Sequence, residues 1–173
     1  PARLKDCGAH AFDELSYPGD SIKQEYKEDI LVGYRWHDTK KIPALFPFGH
    51  GLSYTTFTYG KPVASAKTMA ADGTLTVTVA VKNTGSIAGK EIVQLYVGDD
   101  KCSVLRPVKE LKHFAKVALA PGEEKSVTFT LTPDDLKFYD EASAAWKYES
   151  GKFKAYVCAS SADVRGVVSF EMQ

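Results

Sequence analysis

Leu75, Val77, Val79 and Val81 alternate with Thr76, Thr78 and Ala80. A period of two predicts a half-buried strand with the four aliphatic side chains on one face. Val127, Phe129 and Leu131 repeat the pattern against Ser126, Thr128 and Thr130. Val93, Leu95 and Val97 alternate instead with Ile92, Gln94 and Tyr96. Apolar groups on both faces predict a strand in the middle of a sheet. Phe153, Ala155 and Val157, then Val168, Phe170 and Met172, continue the series. Pro107 to Val117 is less regular, with Leu111, Phe114 and Val117 apolar, and reads as a strand or strand pair carrying a bulge.

Turn residues punctuate these runs at Asp72-Gly73, Asn83-Thr84-Gly85, Gly98-Asp99-Asp100, Pro121-Gly122 and Ser150-Gly151. Short alternating strands at this spacing predict an all-β chain, an antiparallel sandwich of about seven strands of the immunoglobulin or fibronectin type III kind. Tyr156-Val157-Cys158 mimics the tyrosine-before-cysteine of an antibody domain, but the strand of Val77 and Val79 has no cysteine to pair with it. The fibronectin-like version is therefore expected. Residues 1–57 differ in kind. Pro18, Pro43, Pro47 and several glycines interrupt them, and the one strand-like run is Asp29 to Tyr34. This irregular N-terminal arm is expected to bury no core of its own, to lie against the sandwich or a missing neighbour, and over residues 1–45 to be either partly disordered or packed non-natively along the sandwich. The expected division is 1–57 and 58–173.

At 173 residues the chain accommodates one domain plus a flanking arm. Its 22 basic and 22 acidic side chains balance. Nucleic acid and anionic membranes are normally met by a clustered positive excess, so neither is an expected partner. No apolar run reaches the length of a membrane-spanning helix. Pro1 and the following ARLKDCGAHAFDEL do not read as a signal peptide, which points to a fragment or processed product. Cys7, Cys102 and Cys158 are odd in number, lie far apart and lack zinc-ligand spacing. Three free thiols are expected, with a Cys102 to Cys158 bridge as the alternative.

Gly51-Leu52-Ser53-Tyr54-Thr55 approaches the serine-hydrolase elbow, but Thr55 stands where the turn needs glycine, and no strand precedes it. Ser53 and His50 are expected to be structural. The four histidines show no metal-ligand spacing, so no metal and no cofactor are expected. Gly49-His50-Gly51 lacks the lysine and further glycines of a phosphate loop. Glycoside hydrolysis needs two carboxylates about 5–9.5 Å apart across a cleft, and the scattered Glu25, Glu28, Asp29, Asp38, Asp134, Asp135, Asp140 and Glu141 do not establish such a pair. Tyr34, Trp36, Trp146 and Tyr148 are suited to stacking on sugar rings, although packing is the commoner use of such aromatics.

The order of residues carries more than their chemistry. The run Tyr26 to Asp38 (YKEDILVGYRWHD) and the run Leu45 to Phe57 (LFPFGHGLSYTTF) are followed by VKNTG from Val81, VQLYV from Val93, RPVKELK from Arg106, LAPGE from Leu119 and GKF from Gly151. In this order they resemble the C-terminal part of glycoside hydrolase family 3 enzymes, the β-glucosidase and β-xylosidase family, over about residues 17–173. His113 and Cys158 depart from the glycines frequent at those places.

The resemblance implies a chain that follows a catalytic barrel and an α/β sandwich domain. The nucleophilic Asp lies in the barrel and the acid/base usually in the second domain. Residues 1–57 then correspond to the end of the α/β domain and a linker, and 58–173 to a fibronectin type III-like domain. No catalytic residue is expected here. Tyr34, Arg35, Trp36 and Asp38 are candidate ligand-binding residues, since their segment belongs to the sugar-handling domain in the family. Phe46, Phe48, His50, Leu52, Tyr54 and Phe57 are candidate linker and interdomain packing residues. The expected role is non-catalytic bracing of a retaining enzyme that hydrolyses terminal β-glycosidic bonds of oligo- or disaccharides, in the periplasm or outside the cell. The alternatives are a carbohydrate-binding sandwich and a protein-interaction sandwich.

Overall fold

The structure, a computed structural model, describes all of residues 1–173. Eleven strands follow one helix, α1 (Tyr34–Lys40): β1 (Phe57–Tyr59), β2 (Val63–Ala64), β3 (Thr68–Met69), β4 (Leu75–Asn83), β5 (Gly89–Asp99), β6 (Glu110–Leu119), β7 (Glu124–Leu131), β8 (Phe138–Asp140), β9 (Ala145–Lys147), β10 (Gly151–Cys158) and β11 (Val164–Met172). In one sheet β4 pairs β7 along one edge and the short β1 and β2 along the other. The second sheet runs β3-β11-β10-β5-β6. All pairings are antiparallel except β3 with β11. The small β8-β9 hairpin stands apart.

The two sheets form the expected fibronectin-like sandwich. Its core joins Leu75, Val77, Val79 and Val81 with Val127, Phe129 and Leu131 from one sheet, and Val93, Leu95, Val97, Phe153, Ala155, Val157, Phe170 and Met172 from the other. Phe153 and Phe170 are register partners and stack with centroids 5.8 Å apart. Each such side chain contributes about 1.5–3 kcal/mol on leaving water. The bulge expected near Pro107–Val117 lies in β6: Leu95 pairs with His113 and Tyr96 with Leu111, leaving Lys112 as the extra residue.

β5 is central, as its two apolar faces predict. Gln94, Tyr96 and Cys158 lie on the outer face of this sheet and are nevertheless buried. The arm contributes their cover: Tyr34 packs edge-on against Tyr96 at 5.6 Å, and Gly49 lies directly over Gln94. Burial raises the Cys158 thiol to about 12. All three cysteines are free.

The arm departs from expectation in two ways. Asp29 to Tyr34 is not a strand. Asp29 and Gly33 have φ of 56° and 61°, Leu31 N donates to Glu28 O at 3.1 Å, and α1 begins at Tyr34. Successive tight turns, with no neighbouring strand to pair with, override the apolar run. The arm also buries a small centre of its own. Trp36 is 5% exposed, packs edge-on against Phe12 at 5.7 Å, and donates from Nε1 to Asp6 O at 3.1 Å. Residues 1–45 form turns, short 3-10 segments and α1.

Candidate functional site

α1 is seven residues long, opens after Gly33 and closes at Lys41, whose left-handed backbone lets its N–H reach the His37 and Asp38 carbonyls. So short a helix is marginal alone and depends on what it packs against. Opposite faces carry opposite tasks. Trp36 holds the arm together, while Tyr34, Arg35, Asp38 and Thr39 meet the segment Arg106–Leu111. Leu111 N donates to Tyr34 Oη at 2.9 Å, Val108 N to Thr39 Oγ1 at 3.1 Å, and Lys109 Nζ to Asp38 Oδ2 at 2.6 Å. Lys109 also lies over the Tyr96 ring, 5.5 Å from its centroid.

Beside this contact a cleft of about 670 Å³ opens between the arm and the β8-β9 hairpin. On its floor Arg106 donates to Leu136 O at 2.9 Å and to Glu110 Oε2 at 3.0 Å, with its guanidinium 5.8 Å from the Phe138 ring centroid. Arg35 Nη2 approaches Glu110 Oε1 at 3.3 Å, and Lys112 Nζ approaches Oε2 at 3.7 Å. Burial pushes the Glu110 carboxyl up, but Lys112, Arg106 and Arg35 outweigh it and hold the group below its ordinary value. On the hairpin, Trp146 is 66% exposed and meets Tyr139 edge-on at 5.7 Å.

The FPFG loop docks elsewhere on the same sheet. Phe48 packs against Tyr34 at 5.2 Å, and Ser161 N donates to Phe48 O at 2.8 Å. Gly49 has φ of +79°, and a Cβ there would lie 2.2 Å from Gln94 Nε2. Gln94 cannot give way easily, since it donates to Ala159 O at 3.0 Å and accepts from Tyr96 Oη at 2.6 Å. Farther on, Thr55 and Thr56 join the Asn83-Thr84-Gly85 turn, and Phe57 packs against the core.

Of the expected ligand-binding residues, only Arg35 lines the large cleft; Tyr34 and Asp38 line a smaller one of about 520 Å³ beside the FPFG loop. Trp36 is buried within the arm, which corrects its reading as a sugar-stacking residue. Among the expected packing residues, Phe48 and Phe57 touch the sandwich or the arm. Phe46, Leu52 and Tyr54 find no cover within this chain: they are exposed, Leu52 by 94% and Tyr54 by 96%. His50 is exposed beside Phe46, while Ser53 accepts from Thr55 N, so neither belongs to a hydrolytic pair. Arg106, Glu110 and Lys112 were not singled out as site residues, and no spacing in the sequence marks them as one group. Asp99, Cys102 and Glu149 bring potential ligand atoms within 4.8 Å of one another, yet Glu149 already accepts from Ser103 N and Oγ, and Asp99 from Lys101 N.

A profile of the fibronectin type III-like domain matches residues 91–161. Beta-glucosidase BoGH3A of Bacteroides ovatus is 66% identical over 171 residues, covering 99% of this chain and 23% of that protein. Thermostable beta-glucosidase B of Acetivibrio thermocellus is 51% identical, covering 90% of this chain and 21% of that protein. The chain carries the fibronectin type III-like domain of glycoside hydrolase family 3 β-glucosidases. Solved structures agree. The family 3 domain superposes on the Bifidobacterium adolescentis GH3 β-glucosidase with a TM-score of 0.83 at 38% identity, covering 90% of this chain and 23% of that one. The β-glucosidase DesR of Streptomyces venezuelae, in complex with D-glucose, gives 0.85 at 42% identity over 93% of this chain and 20% of its own. The chain thus spans about a fifth of the length of these relatives. They are larger proteins of which this domain is one part.

Proposed function

We propose that this chain is a non-catalytic brace within a β-glucosidase-like enzyme that hydrolyses terminal β-glycosidic bonds with retention. In this reading residues 1–57 complete a preceding α/β sandwich domain and link it to the fibronectin type III-like domain at 58–173. The partners are that domain and a catalytic barrel, and the oligo- or disaccharide substrate belongs to the barrel. The enzyme's compartment is the periplasm or the exterior of the cell.

One observation carries the proposal. The arm is pinned to the sandwich through Tyr34 and Asp38, while Phe46, Leu52 and Tyr54 of the loop that follows stand exposed. Apolar side chains of this size in one loop mark a surface meant to be covered. An interdomain interface on the order of 600–1,500 Å² suffices for such a brace.

An assay of this chain with aryl β-glucosides and β-xylosides tests the non-catalytic part. No turnover above buffer is expected. Turnover that survives repurification and is abolished by a single carboxylate substitution in this chain overturns it.

A further inference from the structure

We infer that the cleft between α1 and the β8-β9 hairpin is a binding site for a neutral oligosaccharide, with Trp146 as its stacking platform. Three observations lead there. First, Trp146 is 66% exposed on the hairpin, and its only aromatic neighbour, Tyr139, meets it edge-on. An exposed indole face is costly in water and suits the C–H face of a sugar ring.

Second, the polar groups of the cleft are held in place before any ligand arrives. Arg106 is fixed by Glu110 and by the Leu136 carbonyl, and Asp140 is held by Lys147 at 2.6 Å and by Ser143 N at 3.2 Å. Such groups need little reordering to meet hydroxyls. Arg35 leaves one donor unused: its Nε is buried and has no hydrogen-bond partner in the chain, while its side chain as a whole is 39% exposed.

Third, the charges lining the cleft cancel. Arg35, Arg106, Lys112 and Lys137 face an equal number of carboxylates from Asp29, Glu110, Asp140 and Glu141. A phosphorylated ligand or a charged peptide would meet as much repulsion as attraction, whereas a neutral polyol can use both donors and acceptors. The cleft's volume of about 670 Å³ falls within the range of small-molecule sites.

Binding alone is inferred, with no reaction assigned to the cleft. It stands apart from the bracing role: failure to bind leaves that role untouched, and binding without turnover satisfies both. The test is a titration of the full 173-residue chain, followed by the indole N–H signals of its two tryptophans. Cellotriose, laminaritriose and maltotriose are added separately, each up to about 10 mM, the weak end of specific binding. For at least one trisaccharide the Trp146 signal is expected to shift saturably, while that of the buried Trp36 stays. Trp146→Ala is expected to weaken binding about tenfold or more, and Trp146→Tyr to retain most of it. Both variants are expected to keep the urea midpoint of the parent, because Trp146 is exposed. Absence of a saturable shift with all three sugars, or full binding by a folded Trp146→Ala chain, overturns the inference.

Discussion

Thr55 and the buried Asn83 are joined by a 2.6 Å hydrogen bond from the threonine hydroxyl to the carboxamide oxygen. Asn83 Oδ1 also accepts from Gly85 N at 3.0 Å, and its Nδ2 donates to the Ile87 and Leu119 carbonyls at 2.8 and 3.1 Å. One side chain thereby ties the linker, the β4-β5 turn and the end of β6. Replacement by alanine orphans four partners, two of them carbonyls, of which that of Leu119 is buried. Asn83→Ala is expected to cost about 2–4 kcal/mol in urea unfolding, and Thr55→Val about 1 kcal/mol. A cost below about 1 kcal/mol for Asn83→Ala contradicts this account of the joint.

Gly49 and Gly51 make a paired test of the FPFGHG loop. A Cβ on Gly49 meets the pinned Gln94 side chain and sits on a backbone with φ of +79°, whereas a Cβ on Gly51 meets nothing within 4 Å. Gly49→Ala is expected to destabilise by about 1–3 kcal/mol and Gly51→Ala to change stability by less than about 0.5 kcal/mol. Equal effects in thermal and urea melts contradict the docking of this loop on β5.

The Lys109–Asp38 pair bridges sandwich and arm with both side chains largely withdrawn from water. Lys109→Ala leaves the carboxylate without its partner and is expected to cost about 3 kcal/mol. Lys109→Met combined with Asp38→Leu is expected to recover most of that loss, because no charge is then stranded. A double-mutant cycle with no coupling between the two positions contradicts a specific arm contact.

Much of the sandwich was legible because its core strands obey a period of two, from Leu75–Val81 through Val127–Leu131 to Phe153–Val157. The two-faced apolar pattern of Ile92–Val97 also placed β5 correctly inside its sheet, between β10 and β6. The arm was not legible. Ile30-Leu31-Val32 looks like a strand, and only the positive φ of Asp29 and Gly33 breaks it into turns before α1 begins at Tyr34. The site was partly legible: Arg35 and Trp146 were named, but they lie 111 positions apart and only the fold brings them to one cleft with Glu110. Trp36, named with them, is hidden by arm residues far upstream, such as Asp6 and Phe12.

Glu91 sets the pH dependence near the linker. Burial raises its carboxyl above the ordinary value, against the hydrogen bond from Tyr59 at 2.6 Å and the nearby Arg165. The folded state therefore binds this proton more tightly than the unfolded state does. The stabilisation is fully present below the unfolded value of about 4.5 and is lost as pH rises through the folded one. Glu91→Gln keeps an acceptor for Tyr59 and removes the buried charge. It is expected to raise the unfolding midpoint at pH 7 more than at pH 4. A larger gain at pH 4 contradicts the assignment.

The bracing role is tested most directly by rebuilding an enzyme from two chains. The Bacteroides ovatus β-glucosidase relative is produced without the 171 residues that align here, and this chain is added to it in trans. The account predicts that the shortened enzyme is poorly soluble or inactive, that this chain restores its β-glucosidase activity, and that the triple variant Phe46→Asp, Leu52→Asp, Tyr54→Asp folds yet fails to restore it. Full activity of the shortened enzyme alone, or undiminished rescue by the triple variant, contradicts it.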